Sequence, residues 1–364
     1  MEEISIYIHI PFCERKCNYC AFASFSASQN LIDEYVDILC EEIKERKTNK
    51  KVKTIYIGGG TPSILNENQI EKICKTIFEN FDVCKDVEFT IEANPNSLTE
   101  DLLKKWKSLG VCRVSLGVQS LNDESLKKIG RLHDKKTAFE KISLTKKYFE
   151  NVSADLIVGL ENETGEDLCE YAKSLLNTGV KHISCYLLEV YEDTKMGAMV
   201  KNGEYVPLDD EKMIEAFNKL SIFLLENGMK RYEISNFAFE GFESRHNLNY
   251  WTRGEYLGFG LGAHSFVDGE RSFNASTFDG YKNHKSQTEI LKKKEQIEEI
   301  VMLGLRCEIG VNLQSLLTLG YDIKKNAYYD LYIFQNILKE IDGRIYLNPK
   351  FYHVSNTIIT NLLP

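Results

Sequence analysis

Three cysteines near the start of the chain, Cys13, Cys17 and Cys20 in the stretch His9–Phe22, have the spacing of a metal-binding loop. Each thiolate at Cys-x3-Cys-x2-Cys spacing can hold one iron of a [4Fe–4S] cluster, which takes four cysteines when it only carries electrons. With three local ligands, one iron stays open to something other than protein. The next cysteine, Cys40, falls inside a helical pattern and is a poor fourth ligand. Zinc sites pair a short cluster with a second Cys or His pair downstream, which this spacing does not supply. The plain alternative is a chance grouping of buried thiols.

Other residues suited to chemistry follow predicted strands. Gly58-Gly59-Gly60-Thr61-Pro62 comes directly after a strand at 54–57. Consecutive glycines let backbone groups approach a ligand closely, or simply make a tight strand-to-helix turn. Glu92 ends the next strand, where a carboxylate can accept two ribose hydroxyls, pair with a cation, or cap a helix. Gln119 lies just past a further strand, followed by Arg131 and His133. An arginine fork suits carboxylate recognition, although surface arginines are usually just solvated. Asp155 sits inside the strand Ala154-Asp155-Leu156-Ile157, an odd place for a charge unless it faces a polar cavity.

The elements that carry these residues alternate. Ile4–Ile10 reads as a strand, Leu31–Lys44 as a helix, then a strand at 54–57, a helix at 67–78 and a strand at 87–91. Thr99-Glu100-Asp101 opens a capped helix that stops at Gly110. Strands at 112–116, 152–158 and 182–188 complete six. Repeated strand–helix units imply a parallel sheet with right-handed crossovers, with ligands at the carboxyl ends of the strands. The pattern alone fits both a partial barrel and a doubly wound open sheet.

Composition narrows the class. The chain has 364 residues, 43% of them hydrophobic, which is enough for a substantial core and an appended unit. Its net charge of −9 argues against a nucleic-acid surface. The basic runs at 47–53 and 292–294 read as solvated helix ends and loops. No run of about 18 apolar residues suggests a membrane span. A strand pattern begins right after Glu3, which leaves no room for a signal peptide, so reduced thiols and a cytoplasmic location are expected.

The cysteine spacing, with Tyr19 before the third cysteine, resembles the signature of the radical S-adenosylmethionine (radical SAM) superfamily. The run Tyr7-Ile8-His9-Ile10-Pro11-Phe12 is similar to the branch of oxygen-independent coproporphyrinogen III oxidases and their haem-chaperone (HemW) relatives. The resemblance implies a partial (β/α)6 barrel with a small, mostly helical, winged-helix-like C-terminal domain. It also implies a cluster on Cys13, Cys17 and Cys20 whose open iron chelates SAM and supplies the electron that releases a 5′-deoxyadenosyl radical. Carried over position by position, it places SAM against Tyr7, Tyr19, Gly59, Gly60, Thr61, Glu92, Gln119, Arg131 and Asp155. Relatives read Gly-Leu-Pro-x-Gln-Thr after the Asp strand, where this chain has Gly159-Leu160-Glu161-Asn162-Glu163-Thr164.

Two features choose within the branch. The oxidases carry a further cysteine two residues past the third, where this chain has Phe22, as the haem-chaperone relatives do. The stretch His246-Asn247-Leu248-Asn249-Tyr250-Trp251 matches a motif that the family associates with haem, which makes His246, Tyr250 and Trp251 candidate haem contacts. The plain alternative is a buried polar turn packed by Trp251; His264, in Gly260–Ser265, is equally open to a structural role. The expected organisation is a radical SAM core at 1–235, a connector with the His246–Trp251 motif at 236–294, and a C-terminal domain at 295–364. The leading expectation is a haem chaperone handing haem to haem proteins. Coproporphyrinogen III oxidase is the alternative, and a radical SAM methyltransferase a more distant one. Family analogy extends the partners to membrane-associated respiratory enzymes, an electron donor for the cluster, and a second copy of the chain.

Overall fold

A period-two alternation along each of six strands shapes the molecule. The computed structural model describes residues 2–364. In chain order the first half is β1 (Glu3–Ile10), α1 (Gln29–Glu45), β2 (Lys51–Gly59), α2 (Glu67–Asn80), β3 (Val83–Ala93), α3 (Glu100–Ser108) and β4 (Arg113–Gln119). It continues with α4 (Asp123–Lys128), α5 (Lys135–Lys146), β5 (Asn151–Val158), α6 (Gly165–Asn177) and β6 (His182–Leu187).

Strands β1 to β6 pair in parallel and in sequence order. An open doubly wound sheet reverses its order at a switch point and carries helices on both faces. Here the order never reverses, so right-handed crossovers put the helices that link β1 to β6 on one face and the sheet curls around the other. The fold is therefore the partial barrel, not the open sheet.

The two faces differ in chemistry. Ile4, Ile6, Ile8, Ile55, Ile57, Phe89, Ile91, Val114, Leu116, Val152 and Ile183 pack outward into one apolar core with the helices. The intervening residues turn inward and are mostly polar. Register pairs run Ser5–Thr54–Glu88, Tyr7–Tyr56–Thr90–Arg113 and Glu92–Ser115–Ser153–His182 around the inner face.

Helix starts are locally encoded. Asn66 and Gln69 form a reciprocal capping box on α2, and Thr164 and Asp167 form one on α6. Thr99 accepts from Leu102 N at 3.2 Å to cap α3, and Gly110 follows its end at φ +90°.

Beyond β6 come α7 (Lys195–Lys201), α8 (Asp210–Glu226), β7 (Lys230–Arg231), β8 (Asn236–Ala238), α9 (Arg245–Trp251) and β9 (Tyr256–Phe259). Then β10 (His264–Val267), β11 (Glu270–Asn274), α10 (Phe278–Lys282) and β12 (Ser286–Ile290) follow. The segment 236–294, expected as a connector, thus supplies five strands to both edges of a 12-stranded sheet. β8 pairs with β6, and β9 lies parallel to β1. Its last strand, β12, is exposed along its whole length, so no apolar alternation marks it in the sequence.

Residues from Lys293 onward build a separate apolar cluster around Val301, Leu305, Leu316, Ile345 and Leu362. Short helices precede a hairpin, and three antiparallel strands (Val311–Asn312, Arg344–Leu347, Leu338–Ile341) complete a winged-helix-like unit. Glu299 ties it to the main sheet through Arg253 at 2.9 Å and Arg271 at 2.7 Å. Among the described residues no helix is long and apolar enough to cross a membrane.

The edge extension hangs on Glu42 of α1. Its buried carboxylate accepts from Gly260 N (2.9 Å), Tyr281 Oη (2.7 Å), Asn274 Nδ2 (2.8 Å) and Arg46 Nη1 (3.0 Å). Removing it strands several buried donors, each costing about 1–3 kcal/mol. Glu42→Ala is expected to lower the unfolding free energy by about 2–4 kcal/mol in urea titrations. A loss below 1 kcal/mol would show that the node does not hold the extension.

Candidate functional site

The cysteine loop leaves β1 at its carboxyl end and is fastened at three places. Cys13 N donates to Phe25 O (3.1 Å) and Phe25 N to Pro11 O (2.9 Å), closing the loop base where Phe12 meets Phe25 edge-on. Asn18 N donates to Ile129 O (2.9 Å) and Asn18 Nδ2 to Lys128 O (2.8 Å), docking the loop tip on the end of α4. Asn18 O accepts from Met196 N in α7 at 2.7 Å. All three thiols are free, with Cys13 buried and Cys17 and Cys20 half-buried. Among the described residues no three His, Cys, Asp or Glu side chains converge as a site for a single metal ion. A cubane cluster binds its thiolates on separate irons and does not require that convergence.

A relay of side chains joins two of the sulfurs. Thr61 Oγ1 donates to Cys13 Sγ at 3.4 Å, and Asn94 Nδ2 donates to Thr61 Oγ1 at 2.9 Å. Arg131 Nη2 donates to Asn94 Oδ1 (2.6 Å) and Gly117 O (2.5 Å), while its Nη1 points to Cys17 Sγ at 3.5 Å. Thr61, Asn94 and Arg131 come from the ends of three successive strand–loop units, so the parallel sheet itself sets their spacing. Arg131 Nε is buried without a partner. Asn94 went unrecognised in the sequence because Asn94-Pro95 reads as an ordinary turn.

These groups border a cavity of about 790 Å³ at the carboxyl ends of the strands. The sequence-derived residues Cys13, Cys17, Cys20, Tyr19, Gly59, Gly60, Thr61, Glu92, Gln119, Arg131 and Asp155 all line it. Gly60 must lack a Cβ, which would meet Phe12 O at 2.6 Å; Gly59 sits at φ +111° above the His9 ring. Gln119 adopts φ 71° beside a register shift between β4 and β5. A left-handed non-glycine residue at a strand end is the kind of strain that gathers at ligand sites. Glu92 accepts from Tyr56 Oη (2.6 Å) and Gly59 N (3.1 Å). Burial pushes its carboxyl up to about 7, against the pull of the Tyr56 hydrogen bond. Burial likewise raises Asp155, which accepts from Ser115 Oγ at 3.2 Å.

Tyr7 is placed elsewhere. Its hydroxyl meets His9 Nδ1 at 2.9 Å, and His9 lies under Gly59, so Tyr7 supports the glycine turn from below and does not line the cavity. The altered loop after β5 keeps its order by other means. Glu163, buried, accepts from Ser120 Oγ, and Glu161 pairs with Lys128 at 2.7 Å.

The His246–Trp251 motif divides between two places. It forms α9, which crosses the inside of the barrel near the amino ends of the strands. Glu88 accepts from Arg245 N and His246 N, both at 2.9 Å, and so caps the helix. His246 is 1% exposed, with Nδ1 against Thr54 Oγ1 (2.7 Å) and Nε2 against Tyr250 Oη (2.9 Å). Its ring stacks on Tyr56 at 5.0 Å. Both ring nitrogens are committed, which leaves neither free for an iron. His246 and Tyr250 plug the barrel floor, and Trp251 alone of the three reaches the cavity. The buried-polar-turn alternative describes His246 as the structure places it.

The comparisons with known proteins bear on this arrangement. The Radical SAM superfamily profile matches residues 7–175. Heme chaperone HemW of Lactococcus lactis is 35% identical over 373 residues, covering 99% of this chain and 97% of that protein. The chain belongs to the HemW family of the radical SAM superfamily. Heme chaperone HemW of Bacillus subtilis is 38% identical over 320 residues, covering 85% of this chain and 84% of its own length. Among solved structures, coproporphyrinogen III oxidase (HemN) from Escherichia coli superposes with a TM-score of 0.85 over 99% of this chain and 90% of that one. At 20% identity, that likeness shows the shared fold alone. Membership of the superfamily implies a [4Fe–4S] cluster and SAM. The residues present fit both: three thiols on one loop, an orphaned guanidinium nitrogen beside them, and a glycine turn with no room for side chains.

The barrel floor has a measurable signature. Burial, with the Arg113 charge second, drops His246 to about 3; the same causes hold His182 well below its usual range. The unfolded chain binds a proton at each below pH 6.5, and the folded chain does not, so stability falls as pH drops from 6.5 toward 3. Glu92 runs the other way, losing its contribution as pH rises through about 7. For the apoprotein, His246→Gln is expected to shrink the stability difference between pH 7 and pH 5 by about 2 kcal/mol, read from urea midpoints. Equal differences in parent and variant would show that His246 titrates freely.

Proposed function

We propose that this protein is a haem chaperone built on a radical SAM scaffold, which binds haem and passes it to haem proteins. One observation carries the reading: the chain aligns end to end with a protein named heme chaperone HemW. The structure supports it at one position in particular. Phe22, where the oxidases have a further cysteine, is 69% exposed on the cavity rim and offers an apolar surface instead of a thiol.

In this reading Cys13, Cys17 and Cys20 hold the cluster, and Thr61 and Arg131 donate hydrogen bonds to two of its sulfur ligands. Such bonds stabilise the reduced, more negative state and tune its potential. Bound with SAM, the cluster supplies one-electron chemistry that no side chain here can provide. Gly59 and Gly60 present backbone groups to the ligand, and Glu92 and Asp155 present carboxylates suited to ribose hydroxyls. Arg131 holds its guanidinium beside the thiolates, where its unpaired Nε can meet a carboxylate. Tyr7 fixes His9, and through it the glycine turn. The domains follow the same logic: a core that ends near residue 292, and a C-terminal unit that roofs part of the cavity. Haem proteins are the clients, membrane-bound respiratory enzymes among them; an electron donor for the cluster and a second copy of the chain complete the partners.

The test uses anaerobically reconstituted protein with checked iron and sulfide. Added haem is expected to give a saturable Soret change at micromolar concentration and then move to an apo haem protein. Coproporphyrinogen III with SAM and reductant is expected to yield no vinyl product. Absence of haem binding, or formation of protoporphyrinogen IX, would contradict the reading.

A further inference from the structure

The cavity has a second end that the cluster and SAM residues do not use. Away from the cysteines it runs between β6, α8, the turn after β7 and the C-terminal unit. Its walls there are aromatic and apolar, with Tyr186, Phe217, Trp251, Ile234 and Tyr352 in the lining. Two arginines, Arg231 and Arg306, and one histidine, His353, share that lining.

The two arginines carry positive charge into this end of the cavity. Arg46 meets Glu42, and Arg253 and Arg271 meet Glu299; buried Arg131 has no carboxylate partner among the described residues and lies at the cysteine end of the cavity. Among the described residues, Arg231 and Arg306 have no ion pair. Arg231 donates Nε to Glu233 O at 3.3 Å and Nη2 to Ile234 O. Its guanidinium lies 4.6 Å over both the Phe217 and Tyr352 rings. Arg306 donates Nη2 to Asn356 Oδ1, and its Nε is buried with no partner. Burial lowers both, Arg231 to about 10. Burial disfavours the charged form of each, and at Arg231 the neighbouring Tyr352 and buried Glu233 pull the other way. Two guanidinium groups with no ion pair, one of them with a buried unpartnered Nε, line one aromatic end of the cavity, where an anion can meet both.

The histidine is equally distinct. Of seven histidines in the chain, His353 lies in the cavity lining. His9, His133, His182 and His246 are buried and already bonded to protein groups. His353 is exposed, on the short helix Pro349–Val354 that also carries Tyr352.

We propose that this outer half of the cavity is the haem site, with Arg231 and Arg306 taking the propionates and His353 supplying the axial ligand. The inference rests on the chaperone reading and moves the haem ligand away from His246. The required chemistry matches: a flat apolar ring for the aromatic walls, two carboxylates for two guanidinium groups, and an iron for a free imidazole. It also places bound haem and the cysteine loop at opposite ends of one cavity.

Full-length reconstituted protein would be titrated with haem, with haem dimethyl ester, whose propionates are blocked, and with iron-free protoporphyrin IX. Arg306→Gln is expected to weaken haem roughly tenfold and to leave the dimethyl ester unchanged. Arg231→Gln is expected to do the same. If it fails to fold, because Arg231 also bonds two backbone carbonyls, Arg306→Gln decides alone. His353→Ala is expected to shift the Soret band of bound haem while protoporphyrin IX binds as in the parent. His246→Ala that still folds is expected to keep the parent Soret position. Haem affinity and spectrum unaltered by both Arg306→Gln and His353→Ala, in a parent that binds haem, would overturn the site and leave the chaperone reading standing. A parent that binds no haem would overturn both.

Discussion

Polar groups facing inward from every strand of the curled sheet must find partners, and that constraint organises the rest of the molecule. A buried polar group without a partner costs free energy comparable to a lost hydrogen bond or more. Near the amino ends of the strands the chain supplies the partners itself. Glu88 caps α9, His246 joins Thr54 to Tyr250, and His182 joins Ser153 to Tyr232 at 2.7 Å. Toward the carboxyl ends the described residues leave a cavity in the barrel. Glu92, Gln119, Arg131 and Asp155 open there onto the cavity, with the thiols above them. One half of the barrel is closed by protein; the other half is built for ligands.

The relay from Cys13 through Thr61, Asn94 and Arg131 to Cys17 belongs to the open half. It makes the geometry of the cysteine loop depend on three separate strand ends, so the loop is positioned by the rigid sheet as well as by its own turns. Sites held by scaffold elements keep their geometry better than sites left to loops.

The sequence made the cysteine site legible because its three ligands lie on one short loop and few residue types qualify as ligands. Asp155 was legible for a different reason: a charge in mid-strand has no cheap place except a polar cavity. Strand order was not legible, because alternating strands and helices are shared by barrels and open sheets; only the pairing distinguishes them. Arg113, buried at the centre of the inner face, went unnoticed, although Arg113-x-Ser115, Glu88-x-Thr90-x-Glu92 and Ser153-x-Asp155 repeat one parity that marks a polar inner face. His246 shows the limit of motif transfer. The motif predicted a functional stretch, but burial and hydrogen bonding give its histidine to the barrel floor and its tryptophan to the cavity. The edge strand β12 was missed because an exposed antiparallel ribbon needs no apolar face, and β10 and β11 are too short and mixed to show an alternation.

The central claim is that three cysteines hold a cluster with one iron open toward the cavity. Electron paramagnetic resonance of the reduced, reconstituted protein, recorded with and without SAM, tests it directly. The account predicts a [4Fe–4S] signal that changes when SAM is added, with the change lost in Arg131→Leu protein of matched iron content. A signal indifferent to SAM, or a cluster of full iron content in Cys20→Ala protein, would contradict it.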